Sequence, residues 1–236
     1  MRVHDCTWMQ IEEYLKGDDR IVLPLGSTEQ HAYLSLATDS ILAERVSLEA
    51  AEPLGIPVLP VLAYGLTPQF AAYPGSPSMR LTTYLAVLGD LLDTLHRQGF
   101  RRIALVNGHG GNNPAAGIVP EWTAAHRGAQ LLFHSWWNAP QVWAVVREID
   151  PEASHASWLE RFPWTRIEGA DEPDGPKPLI DPAELRRRDP EGVRQLLGDG
   201  SFGGRYVRPD DDMERVWAAG VSEVRDMLEH GWAERD

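Results

Sequence analysis

Three short apolar runs, Ile21 to Leu25, Arg102 to Val106 and Gln130 to Phe133, alternate with stretches whose apolar residues recur at helical spacing. This alternation restricts the fold more than any other feature. Strands connected through helices lie parallel, and a parallel sheet is covered by helices on both faces. The expectation is an α/β fold, a mostly parallel doubly wound sheet in one domain over residues 1–236. That length buries a core without disulfide staples, and Cys6 is the sole cysteine. Helices are expected after a Thr7 cap up to Gly17, with Trp8, Ile11 and Leu15 near one face, and over Ser40 to Ala51, Thr82 to Gln98 and Asn113 to Ala125. Short helices follow within Pro182 to Leu197, and a long one from Asp210 to Glu229. Ile56 to Leu62 is a further β-branched run broken by prolines, and Tyr64 to Met79 is a Gly/Pro/Ser-rich loop.

Doubly wound sheets gather ligands at the carboxyl ends of their strands. Two chemically loaded stretches fall there. In the first, Leu23 to Asp39, an apolar strand runs through Gly26 into Glu29, His31 and Asp39. Alternation along an extended segment points Glu29 and His31 to one side, and carboxylate with imidazole suits Zn, Mn or Fe. Asp39 equally suits a helix N-cap. In the second, Asn107 to Asn112, Gly108, Gly110 and Gly111 allow a tight turn with positive φ and close backbone approach, leaving His109 as the reactive side chain. The spacing is not GxGxxG and no Lys follows, which disfavours a phosphate loop.

The formal net charge of −13, with no basic cluster beyond Arg186 to Arg188, argues against nucleic acid or an anionic membrane as partner. The acid-rich N-terminus lacks the apolar region of a signal peptide, and a cytoplasmic protein is expected. Six of the nine tryptophans fall between Trp122 and Trp164, where they line either a core or a pocket. Trp122 and Trp143 are expected in the core.

Gly26-Ser27-Thr28-Glu29-Gln30-His31, Thr38-Asp39, Tyr64-Gly65, Tyr73-Pro74-Gly75 with Ser78, and Asn107-Gly108-His109-Gly110-Gly111-Asn112 stand in sequence. In order and approximate spacing they resemble the creatininase, or creatinine amidohydrolase, family across roughly residues 20 to 160. The resemblance implies hydrolysis of an amide or related C–N bond in a small, often cyclic molecule by a hydroxide bridging two divalent ions. Zn is the first choice, with Mn or Fe as alternatives. It also implies a homo-oligomer, often a hexamer. By resemblance Glu29 and His109 hold one ion, His31 holds the other and Asp39 bridges them. His155-Ala156-Ser157-Trp158-Leu159-Glu160 is similar to the family's late His-Ala-Gly-x-x-Glu, which makes Glu160 the candidate last ligand and His155, with Glu160, the candidate catalytic pair.

Tyr33, Tyr64, Phe70, Ser78, Gly110, Trp136 and Trp158 are the expected substrate contacts. The chain departs from the family pattern in three places. One residue and a second His are missing between His31 and Asp39, Gln69-Phe70 replaces Glu-His, and Ser157 replaces Gly. These changes point to a substrate other than creatinine, a lactam, cyclic amide or formamide. The alternatives are a catalytically disabled, metal-stabilised binding or assembly protein and a lactone or ester hydrolase on the same metals. A Ser nucleophile is disfavoured because no GxSxG elbow is present.

Overall fold

The computed structural model describes residues 1–234. Strands β1 (Arg20–Leu25), β2 (Arg102–Asn107) and β3 (Gln130–Ser135) form a parallel sheet in that order. Ile21 stands opposite Ile103, which stands opposite Leu131. Residues 56–62 run along the free edge of β1, where Val22 N–H donates to Pro57 O, Leu59 N–H to Val22 O and Leu62 N–H to Pro24 O. Pro57 and Pro60 carry no N–H, so this edge has isolated bridges at Val58 and Leu62 and no regular ladder.

From β1 the chain moves to that edge through α2 (Thr38–Ala51) and returns through α3 (Leu81–Gln98) to β2 on the other side of β1. It continues through α4 (Ile118–Ala125) to β3. The direction of winding therefore reverses between β1 and β2, the position at which such sheets open a crevice beyond the strand ends. The segments bearing Glu29 and His109 leave the sheet at this crevice.

Strand alternation divides the core. Ile21, Leu23, Leu25, Ile103 and Leu105 pack under α3 and α4, whereas Val22, Ala104 and Val106 pack with α2, α5 (Pro140–Ile149) and α8 (Asp210–His230). In α3, Tyr84, Leu88, Leu92 and Leu95 recur at three- and four-residue steps and are buried. Leu88→Ala there would cost about 2–5 kcal/mol. In α8, Asp210 to Asp212 place negative charge at the positive end of the helix dipole, and Val216, Val224 and Leu228 are buried along one face. The remaining helices are α1 (Trp8–Tyr14), α6 (Pro182–Leu185) and α7 (Pro190–Leu197).

Trp8, 70% exposed, lines one groove with Ile11 and Leu15. Two local readings are corrected. The helix expected from Asn113 starts at Ile118, because Pro114 lies within a 3₁₀ segment over Gly110–Gly117. The sequence reading also missed α5, whose short amphipathic repeat buries only Val142 and Val146. Trp122 is buried and Trp143 packs against the core. Among the described residues no helix is long and apolar enough to cross a membrane.

Candidate metal centre

Glu29 and His31 sit in the extended segment after β1, Asp39 in the first turn of α2, and His109 just beyond β2. Glu160 ends a 3₁₀ turn over Trp158–Glu160 and approaches from a distant part of the chain. Ligand atoms of Glu29, Asp39 and His109 all lie within 4.8 Å of one another, as do those of His31, Asp39 and Glu160. Asp39 is common to both groups. Its Oδ1 is 3.2 Å from His31 Nε2 and its Oδ2 is 2.9 Å from His109 Nδ1. Glu29 Oε1 is 3.3 Å from His109 Nδ1, and Glu160 Oε2 is 3.8 Å from His31 Nε2.

The backbone sets both imidazoles. A carbonyl only accepts, so His31 Nδ1–H donates to Glu29 O at 3.2 Å and His109 Nε2–H donates to Leu66 O at 3.0 Å. Each ring therefore keeps its other nitrogen toward Asp39, the atom that would bind a metal on releasing its proton. Glu29 Oε2, His31 Nε2 and Asp39 Oδ2 are buried and make no aligned hydrogen bond, although His and carboxylate atoms lie close together. Atoms that converge without bonding to one another fit a shared cation. Three carboxylates and two imidazoles, with no thiolate, suit a divalent cation such as Zn or Mn, which would displace the imidazole protons.

Without a metal, the same carboxylates hold protons on these rings. Burial opposes charge on His31, but Asp39 and Glu160 outweigh it and push the group up to about 10. Burial likewise opposes charge on His109, yet Glu29 and Asp39 raise it well above the ordinary histidine value. Burial would raise Asp39, but His31 and His109 hold it below the usual carboxylate range. Burial lifts Glu160 to about 7. For His155, burial and the neighbouring His31 keep the ring neutral, well below the ordinary value.

Amide side chains build the frame. Asn112 Nδ2 donates to Gly26 O while its Oδ1 accepts from Leu66 N–H, which ties the β2 loop to the β1 segment. Asn107 Nδ2 donates to His109 O. Neither role was foreseen, although both residues stand in the motif. Gly108, Gly110 and Gly111 do not have positive φ, contrary to expectation. Close approach explains two of them: a Cβ on Gly108 would lie 2.6 Å from Asp39 O, and one on Gly111 would strike Leu66 O and His109 Nε2.

His155 lies with its Nδ1 3.9 Å from both Glu29 Oε1 and Glu160 Oε2. Phe70 stacks on it at 5.0 Å and Phe202, which was not foreseen, approaches to 4.8 Å. Of the other expected substrate contacts, Tyr33 packs edge-on against Tyr206, and Tyr64 is exposed. A Cβ added to Gly110 would lie 3.6 Å from the Trp137 ring. Two expectations are corrected by burial: Trp136 packs against Trp217 and Gly220, and Trp158 is fully buried in the same core. Ser78 Oγ accepts from Thr67 N–H and donates to Met79 O.

A doubly wound sheet that collects carboxylates and imidazoles at its point of reversal defines an α/β protein with a candidate metal centre. The chain belongs to the creatininase family, whose model, described as creatinine amidohydrolase, matches residues 4–162. Creatinine amidohydrolase of Pseudomonas putida is 31% identical over 165 residues, 64% of this chain and 63% of that protein. Mycofactocin precursor peptide peptidase of Mycolicibacterium smegmatis is 37% identical over 145 residues, 57% of this chain and 53% of that protein. The matched stretch thus spans less than two thirds of either relative. A crystal structure of creatinine amidohydrolase superimposes with a TM-score of 0.82 at 24% identity, covering 99% of this chain and 98% of that one. Two further creatininase structures of this fold, each 23% identical with a TM-score of 0.81 and covering 99% of this chain and 98–99% of theirs, are a Zn–Zn form and a Mn form.

Proposed function

We propose that this protein is a metal-dependent hydrolase that cleaves an amide or related C–N bond in a small, cyclic molecule such as a lactam, cyclic amide or formamide. The observation that carries the reading is the division of Asp39 between two ligand groups, one oxygen 3.2 Å from His31 and the other 2.9 Å from His109. Glu29, Asp39 and His109 would hold one divalent ion, and His31, Asp39 and Glu160 the other. Bound there, the pair supplies water activation at neutral pH and polarisation of the scissile carbonyl.

The chain's own groups supply the rest. His155, beside Glu29 and Glu160, gives its inward-facing proton to the leaving nitrogen as the C–N bond breaks and regains one from the hydroxyl that the attacking water leaves on the carbonyl carbon. Phe70 and Phe202 shield its ring from bulk water. A small-molecule substrate, a cytoplasmic location and a homo-oligomer, a hexamer by family resemblance, belong to the same reading.

The experiment is metal analysis joined to a hydrolysis screen of lactams, cyclic ureides, formamides, short peptides and lactones. Chelation is expected to remove activity, Zn or Mn to restore it, and Asp39→Asn to abolish turnover while the fold persists. Full activity after chelation overturns the metal reading. Bound metal with no C–N turnover favours a binding protein, and turnover of lactones alone favours ester chemistry.

A further inference from the structure

Gln30 belongs to the Glu29-Gln30-His31 segment, yet its side chain serves His155. Two backbone partners orient its amide independently. Oε1 accepts from Ala32 N–H at 3.2 Å, and Nε2 donates to Gly200 O at 3.1 Å. A flipped amide would set oxygen against the Gly200 carbonyl and N–H against N–H at Ala32. The second hydrogen on Nε2 then meets His155 Nε2 at 2.9 Å, and that ring nitrogen must accept. The proton of neutral His155 is therefore on Nδ1, the atom that lies 3.9 Å from Glu29 Oε1 and Glu160 Oε2.

We propose that Gln30 is a positioning residue that fixes His155 as the Nδ1–H tautomer, which keeps it a proton donor facing the centre and prevents it from becoming a metal ligand. The need for such a device is geometric. Ligand atoms of Glu29, His31 and His155 also come within 4.8 Å of one another, so a third metal-holding group is available in this centre. An imidazole ligates only through an unprotonated nitrogen. His31 and His109 donate outward to carbonyls and leave the inward nitrogen for a metal, whereas His155 accepts from an amide and turns an N–H inward. The partner on the outer nitrogen thus sorts three neighbouring histidines into two ligands and one acid. Gly200 is part of the device, because a Cβ there would overlap the Gln30 amide.

The inference rests on the hydrolase reading only for its kinetic arm. The direct test is a long-range ¹H–¹⁵N ring correlation on ¹⁵N-histidine-labelled, Zn-loaded protein, with the His155 signals identified by their loss in His155→Gln. Expected are a protonated, pyrrole-type Nδ1 and a pyridine-type Nε2. In Gln30→Met, which removes the donor, the ring is expected to shift toward the Nε2–H form, and kcat to fall at least tenfold with KM changed less than about twofold. An Nε2–H ring, an imidazolium or a Zn-bound Nδ1 in the wild-type protein overturns the proposal, as does an unaltered tautomer in Gln30→Met. If that variant does not fold, the wild-type spectrum decides alone. An Nδ1–H ring in a protein that turns over no C–N substrate leaves the tautomer assignment standing and removes the hydrolase reading.

Discussion

Asp39 Oδ1 lies 3.2 Å from His31 Nε2, although the stretch joining them is one residue shorter than the family pattern it resembles. Within that stretch Ala32 takes a left-handed φ of 49°, and two tight turns form in which Leu34 N–H donates to His31 O and Thr38 N–H to Ser35 O. Glu29 N–H then closes the loop on Leu36 O. The loop that brings Asp39 to His31 thus carries backbone strain at Ala32.

That strain is measurable. A left-handed alanine costs roughly 1–2 kcal/mol, and glycine removes this while adding freedom to the unfolded chain. Ala32→Gly is expected to change stability by less than about 1 kcal/mol, whereas Ala32→Val is expected to lose about 2 kcal/mol or more, since β-branching adds to the clash. Urea unfolding of the chelated proteins, compared side by side, checks both values.

His155→Gln keeps a polar side chain but removes the proton donor. It is expected to lower kcat by about 10²–10⁴-fold, the usual worth of general acid–base catalysis, with metal content unchanged. Steady-state kinetics on the best substrate of the screen, with metal analysis of the same sample, tests this. A variant that loses metal instead would make His155 a ligand.

Gly111→Ala places a methyl group against Leu66 O and His109 Nε2, the two atoms whose bond orients His109. The expected result is loss of about one ion per chain together with a lowered Tm. Gly110→Ala, whose Cβ meets only the Trp137 ring at ordinary contact distance, is the control and is expected to keep both ions.

The pH dependence of the chelated protein has a definite sign. His31, raised from 6.5 to about 10, binds a proton in the folded state that the unfolded chain has released, and His109 shifts in the same direction. Their stabilisation is complete below pH 6.5 and disappears as pH rises toward 10. Glu160, raised from 4.5 to about 7, adds a loss of stability across that lower interval. His155, held below 6.5, works in the opposite sense only under acid conditions. The chelated protein is therefore expected to lose Tm from pH 7 to pH 10, while added Zn stabilises it increasingly, since ions and protons compete for the same atoms. Thermal melts with chelator and with Zn at each pH read both trends.

Much of the fold was legible because strand and helix periods are local. The alternation around β1, β2 and β3, the Gly99 stop of α3 and the acidic start of α8 can each be read within a few residues. The short α5 was not, since few of its residues carry periodic burial, whereas the run over residues 56–62 was legible as strand-like and broken by prolines. Phe70 was placed near the site by the resemblance of its loop, whereas Trp136 and Trp158, read from a tryptophan-rich window, lie in the core. A tryptophan's sequence neighbourhood does not say which side of the sheet it faces.

By itself, the sequence determined which side chains could ligate a metal and that two groups of them leave the carboxyl ends of strands, because ligand chemistry and strand direction follow from residue type and local order. Tertiary structure alone decided that Asp39 faces both groups, that Glu160 crosses from a distant turn to complete the second, and that Gln30 meets His155. Those relationships depend on distances between segments far apart in the chain, and only the packed sheet and its crossings define them.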